Sequence, residues 1–332
     1  MSHPLATVGT MSKAHQLVKT GMSLAAFFKR FPDDEAAEAW FADHRWPDGP
    51  RCGHCGSARV TVVKSRRPMP YRCKDCRRHF SVKTGSPMRE SNLGAQTWLL
   101  GIFLIVSNPK GRSSVQLAAD LGITQKSAWH LSHRIRRALA DGTLPGFDGP
   151  VEVDETYIGG KARNMHSRQR RERITGRGGV DKAAVVGVKD RDSGRVAATP
   201  VHEVTADTAT AMVAATTNTG ADVFTDGSPV YDGLGDMGYG HAKVLHSIGE
   251  YVRGPVSTNG VENFWSHLKR TYIGTYHYWS PEHLHRYVEE HSFRYNNRSR
   301  HVTDRMADAV DQMEGRSLSW RELTAAGPSA QR

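Results

Sequence analysis

Four cysteines constrain this chain more than any other feature. They form two pairs, Cys52-Gly-His-Cys55 and Cys73-Lys-Asp-Cys76, with 17 residues between the pairs, and they are all the cysteines of the 332-residue sequence. Zinc binds four thiolates tetrahedrally, and two Cys-x2-Cys knuckles joined by a hairpin supply them from a short stretch of chain. Four cysteines are too few for a disulfide scaffold in a chain of this length. A redox pair would need one CxxC followed by a βαβ unit, which is missing here. The spacing therefore predicts one structural zinc held by Cys52, Cys55, Cys73 and Cys76. Four protein ligands leave no open position for catalysis. Val60–Val63, Tyr71 and Phe80–Val82 supply the strands of such a ribbon.

Charge singles out the same region. Residues 51–89 carry 11 Lys/Arg against the single acid Asp75, and residues 161–177 carry 7 against Glu172. Two short stretches thus carry more positive charge than the chain's net +11, while residues 1–50 are nearly neutral. Such clusters suit surfaces that neutralise phosphates and release counterions, although a solvated charge run remains the plain alternative for 161–177. With 38% hydrophobic residues the chain can bury a sizeable core. Its longest apolar run, Trp98–Val106, is interrupted by Gly101 and falls far short of the roughly 20 residues a membrane span needs. No secretory signal is visible, so a cytoplasmic, DNA-facing protein without a membrane partner is expected.

Around the ribbon the pattern is helical. Phe27, Phe28, Phe31, Ala36, Trp40 and Phe41 recur at helical spacing, broken by Pro32-Asp33-Asp34, and predict two short helices. Residues 93–106 predict an apolar helix. Ser113–Leu121, a turn at Gly122, and a second helix capped by Thr124 read as a helix-turn-helix. In that reading Gln125, Lys126, Ser127 and His130 face a major groove, with Arg134, Arg136 and Arg137 nearer the DNA backbone. A plain helical hairpin is the alternative. Beyond Pro145–Pro150 come strand candidates at Val151–Ile158, Ala183–Val188, Val196–Val201, Asp222–Thr225 and Ala242–His246, with a helix over Ala206–Thr217. This order suits a mixed α/β sheet with flanking helices. Residues from about 315 onward are expected to fray.

Three carboxylates in this second half stand out. Val151 and Val153 alternate with Glu152 and Asp154, which share the opposite face of a half-buried strand. Asp226 ends a second apolar strand, where Asp-Gly is also an ordinary turn signal. Val261, Phe264, Trp265 and Leu268 form the buried stripe of a helix whose other face carries Asn259, Glu262, Ser266 and Lys269. Asn259 and Glu262 also fit a capping box, which would leave Lys269 unexplained. Three acids from a strand, a neighbouring strand end and a helix can hold two divalent ions at a phosphodiester, and hard oxygens suit magnesium or manganese.

The sequence resembles bacterial insertion-sequence transposases that join an N-terminal zinc ribbon to an RNase H-like D,D,E catalytic domain. The resemblance rests on Trp46-Pro-Asp-Gly-Pro50, Phe80-Ser-Val-Lys-Thr-Gly85, Val153-Asp-Glu-Thr-Tyr-Ile-Gly-Gly-Lys161 and Thr225-Asp226-Gly227. It continues through Thr258–Arg270, Gly274-Thr-Tyr-His277 and Arg294-Tyr-Asn-Asn-Arg298. It implies Asp154, Asp226 and Glu262 as ligands of two Mg (or Mn) ions and Lys269 as a contact to transposon-end DNA. Because the family tolerates Asn at the third position, it also implies Asn259 as a supporting ligand or DNA contact. The expected layout is a helical segment (13–50), the zinc ribbon (51–89), a helix-turn-helix domain (90–144), an RNase H-like catalytic domain (150–305) and a C-terminal helix and tail (306–332). Double-stranded DNA, as terminal inverted repeats and target, would be the partner of a homo-oligomer associated with the nucleoid. Arg168, Arg170, Arg171 and Arg173 would follow phosphates near the catalytic face. Two other readings stay open: a DNA-binding regulator derived from a transposase, and an RNase H-like nuclease without strand transfer.

Overall fold

The computed structural model describes residues 21–140, 146–159, 182–245, 249–250 and 252–325. The basic stretch with Arg168, Arg170, Arg171 and Arg173 lies outside them. The chain divides into two compact units, 1–107 with 297–315, and 108–296 with 316–332.

In the first unit Ser23 caps α1 (Leu24–Arg30) and Asp33 caps α2 (Asp34–Arg45), each side chain accepting a first-turn N–H. The break at Pro32 falls where proline and the two acids place it. Asp34 does more than favour its own helix: its Oδ1 accepts the Gln96 N–H at 2.8 Å, at the start of α3 (Ala95–Ser107). Helix α3 is buried almost all round, through Trp98, Leu99, Ile102, Ile105 and Val106, as its largely apolar composition requires. Phe27, Phe31 and Phe103 pack ring to ring beside it. Helix α9 (Val302–Asp311) buries Met306 and Val310, and Arg305 donates to the Val106 carbonyl at 2.9 Å. The ribbon is an antiparallel sheet in the order β1 (Val60–Val62), β2 (Tyr71–Cys73), β3 (His79–Phe80). Tyr71 stacks on Phe80 at 5.4 Å, with Trp46 edge-on to both.

The second unit is built on a five-stranded mixed sheet. Its strands are β4 (Val151–Ile158), β5 (Ala183–Asp190), β6 (Val196–Val201), β7 (Asp222–Thr225) and β8 (Gly240–Lys243), in the order β6-β5-β4-β7-β8. β4, β5 and β6 pair antiparallel, whereas β7 runs parallel to β4 and β8 parallel to β7. One face carries Val151, Val153, Val186 and Val223 against Ala209, Met212 and Val213 of α6 (Ala206–Thr216). The other carries Val185 and Val196 against Val261, Phe264, Trp265 and Leu268 of α7 (Asn259–Thr271) and Tyr287 and Val288 of α8 (Leu284–Asn296). The last strand begins two residues earlier than the pattern suggests, at Gly240, where a side chain would strike Asp222 Oδ1. A short hairpin of β9 (Val252–Arg253) and β10 (Val256–Ser257) leads into α7.

The same unit holds α4 (Ser114–Leu121) and α5 (Gln125–Leu139), with Gly122 left-handed at φ 65° and the Thr124 hydroxyl capping α5. Helix α5 is fastened to α8 by a buried ion pair, Arg136 Nε to Glu290 Oε2 at 2.6 Å. Glu290 also accepts from the Tyr276 hydroxyl at 2.8 Å. The expected fraying from residue 315 does not hold through α10 (Trp320–Thr324): Leu323 is buried and Trp320 packs on Trp129 and His130.

Candidate active site

The four ribbon thiols converge as a zinc site requires. Cys52 and Cys76 sulfurs are 3.6 Å apart, Cys55 and Cys73 sulfurs 3.7 Å, and all four lie within 4.8 Å of one another. A tetrahedron with Zn–S near 2.3 Å has edges of about 3.8 Å, so the donor set fits structural zinc. The second knuckle is electrostatically prepared: the backbone N–H of Cys76 leads in holding the Cys73 thiol down to about 7. Burial pushes Cys52 up to about 12.

Strand pairing brings the carboxylates together. Val151 faces Val223 and Glu152 faces Phe224 in the parallel β4–β7 pair. Asp154 lies two residues past the last of these pairs on β4 and Asp226 two residues past it on the β7 side, just beyond the end of that strand, and the charge of Asp226 acts on the Asp154 carboxyl. Helix α7 crosses the same face of the sheet. Its Trp265 donates Nε1–H to Asp154 Oδ2 at 3.0 Å. That ring fits because residue 187, opposite Asp154 on β5, is glycine; a Cβ there would lie 2.6 Å from the Trp265 ring. Hydrogen bonds also aim the other two acids. Ser228 N–H donates to Asp226 Oδ1 at 3.0 Å, and the Thr258 hydroxyl donates to Glu262 Oε1 at 2.9 Å.

Burial, followed by the charges of Glu155, Asp226 and Glu262, pushes the Asp154 carboxyl up to about 7. Burial is the larger cause, and the like charges of neighbouring acids add to it. Among the described residues, the four thiols are the group that converges tightly enough to hold an ion as it stands. The carboxylates are electrostatic neighbours whose all-oxygen donor set suits a hard divalent cation.

Other expected positions fall out unevenly. Asn259 is exposed and is the first residue of α7, with Thr258 at the cap, so the Asn259–Glu262 capping box does not form. Lys269 is exposed. Gln125, Lys126 and Ser127 are exposed at the start of α5. Lys126 Nζ stands 4.7 Å over the Trp320 ring, and His130 meets the same ring edge at 5.3 Å. Arg134 departs from expectation at 6% exposure, and Arg136 at 1% is spent on Glu290. Their positions on α5 turn them inward, so neither reaches a DNA backbone from this helix as it stands.

Sequence reasoning also passed over two acids. Glu155 accepts the Tyr231 hydroxyl at 2.8 Å, and burial raises its own pKa. Glu152, 4% exposed, is bonded to α7 and to Arg191. The unbroken Val-Glu-Val-Asp-Glu run was the available signal, because a strand buried on both faces cannot leave its acids unpartnered.

Comparison with known proteins matches this layout. Residues 32–79 match the transposase zinc-ribbon domain, and residues 146–296 match the ISXO2-like transposase domain. A protein of Halobacterium salinarum, described as an uncharacterized protein in transposable element ISH50, is 32% identical over 250 residues, covering 73% of this chain and 84% of that protein. The cryo-EM structure of a simian T-cell lymphotropic virus intasome in complex with PP2A regulatory subunit B56 gamma aligns at 15% identity, over 55% of this chain and 67% of that one. Its TM-score of 0.27 carries no weight for the fold. Ribbon, acid-bearing sheet and insertion-sequence relative agree: the chain belongs to the ISXO2-like transposases that carry an N-terminal zinc ribbon.

Proposed function

We propose that the protein is the DNA transposase of an insertion sequence. It binds the element's terminal inverted repeats, hydrolyses the phosphodiester at each end, and joins the freed 3′-hydroxyl to target DNA. The observation that carries this reading is the Asp154 carboxyl of β4, held up to about 7 by burial and by its acidic neighbours, Asp226 just past the end of the parallel strand β7 and Glu262 of α7 among them. The mixed sheet with helices on both faces supports an RNase H-like catalytic domain.

Asp154, Asp226 and Glu262 would hold two magnesium or manganese ions. Such a pair polarises the scissile phosphate and activates the attacking oxygen. The protein's own part is orientation. Trp265 fixes Asp154 Oδ2, Ser228 N–H fixes Asp226 Oδ1, and Thr258 fixes Glu262. Lys269, exposed one to two turns beyond Glu262 on α7, would meet the phosphate backbone of the DNA end. Gln125, Lys126 and Ser127 would read the repeat from α5, and the basic ribbon would meet phosphates. Two ends must be joined, so the working complex on DNA is a homo-oligomer in the cytoplasm, at the nucleoid.

The test is cleavage and joining of flanking repeat DNA with magnesium. Wild type should cleave and join; Asp226→Ala should bind the ends and do neither. Cleavage by Asp226→Ala would refute the site. Cleavage by wild type without joining would favour a nuclease, and repeat binding with no chemistry a regulator. Lys269→Ala should shallow the salt dependence of end binding by about one unit if it neutralises one phosphate.

A further inference from the structure

The three proposed ligands sit on or beside separate elements, β4, the end of β7 and the start of α7. One ion pair, its carboxylate buried and its guanidinium half-buried, touches all three elements. Glu152, two residues before Asp154, is 4% exposed. Its Oε2 accepts the backbone N–H of Val261, the residue before Glu262, at 2.8 Å. Its Oε1 accepts Arg191 Nε–H at 2.8 Å. The Arg191 guanidinium lies 4.7 Å over the ring of Phe224, two residues before Asp226. Its other nitrogens close the hairpin that feeds α7: Nη2 donates to Ser257 Oγ at 2.7 Å and to the Ser257 carbonyl at 3.0 Å, and Nη1 donates to the Pro255 carbonyl. Gly260 belongs to the same arrangement. A Cβ at 260 would lie 2.5 Å from both Glu152 Oε2 and Lys189 Nζ, so no larger residue lets the helix start this close.

We propose that Glu152 and Arg191 are positioning residues that set Asp154, Asp226 and Glu262 in mutual alignment, and so set the site's affinity for its divalent ion. The proposal rests on the reading of those three acids as the cation ligands. An ion pair whose carboxylate is buried is a poor source of net stability, because desolvation cancels most of its attraction. It does fix geometry: Glu152 satisfies an otherwise orphaned N–H in the first turn of α7, where the helix dipole favours a carboxylate. Groups that orient metal ligands from behind typically change metal affinity 10–100-fold when lost.

The experiment uses the full chain and Mn2+ alone, followed by calorimetry or by the loss of free-ion spin resonance signal. Amide hydrogen exchange at residues 260–262 is measured on the same samples. In Glu152→Gln one oxygen is replaced by a donor and only one of the two bonds can persist. Its Mn2+ affinity should fall at least tenfold, the Val261 amide should exchange at least tenfold faster, and excess metal should restore cleavage. Arg191→Lys leaves the Glu152 charge intact and should shift affinity in the same direction, which keeps the question answerable if Glu152→Gln does not fold. Wild-type Mn2+ affinity in a folded Glu152→Gln or Arg191→Lys variant, with unchanged exchange at 260–262, overturns the proposal. A drop in melting temperature alone, with affinity unchanged, overturns it too. Asp154→Ala separates the two levels: it should lose Mn2+ binding at any metal concentration, and if it binds as wild type, the ligand assignment itself is wrong.

Discussion

Replacing Asp154 by Asn should stabilise the metal-free protein while ending its chemistry. The Asp154 carboxyl is raised from 3.8 to about 7, first by burial and then by Glu155, Asp226 and Glu262. At about 1.36 kcal/mol per pKa unit, keeping it ionised above pH 7 costs a ceiling of about 4 kcal/mol. Asn can still accept the Trp265 N–H, but local relaxation already relieves part of the charge penalty in wild type. We therefore expect a gain of about 2 kcal/mol, or roughly 4–8 °C in a unit of this size. The sign against pH follows from the raised value. Below about pH 3.8 both side chains are neutral in the folded and unfolded states, so the two proteins should match. The advantage of Asn opens as pH rises toward 7 and is complete above it. Denaturant melts of both proteins at pH 5 and pH 8, in chelator, read the difference directly. Magnesium should then raise the melting temperature of wild type but not of Asp154→Asn, since ligand binding stabilises only the form that binds. An Asp154→Asn protein less stable than wild type at pH 8, or equally stable at both pH values, would refute the reasoning.

Cys73→Ser should lower bound zinc from one equivalent to none and expose the Tyr71–Phe80 stack to protease, read by metal analysis and limited proteolysis. Gly187→Ala should cost about 1–3 kcal/mol by driving a Cβ into the Trp265 ring, and should weaken cleavage by moving the Asp154 partner; denaturant melts and cleavage rates check both. His291 is 3% exposed with neither ring nitrogen bonded. Burial and then Arg294 hold its pKa well below 6.5. Because the unfolded chain takes up the proton first, folding stability should fall as pH drops below about 6.5, by roughly 1 kcal/mol from this group between pH 6.5 and 5.5. His291→Phe should remove that share of the slope in urea titrations.

Much of the sheet-bearing half was readable because its signals are local. Alternation placed β4 at Val151–Ile158, and the 3.6-residue stripe of Val261, Phe264, Trp265 and Leu268 placed the buried face of α7. The Thr124 cap and Gly122 turn marked α4 and α5 for the same reason. What escaped depends on partners far along the chain. Arg136 reads as a DNA-facing cation until Glu290, 154 residues away, is seen to take it inward. Glu152 reads as a surface acid on an alternating strand until Val261, 109 residues on, donates to it. Trp320, in a polar tail, opens a short helix that Ser319 and Glu322 cap reciprocally, and its packing on Trp129 is the long-range part.

The buried link from α5 to α8 has a metric consequence. Arg136 and Glu290, with Tyr276 and Arg294 bonded to the same carboxylate, tie α5 to α8, which packs on the sheet that carries Asp154. On the proposed function, DNA gripped at the start of α5 would be held at a set interval from the carboxylates, like work clamped against a fixed stop. The cut would then be measured in ångströms from the point of grip, and one base pair inserted between grip and cut would carry the wrong phosphate to Asp154.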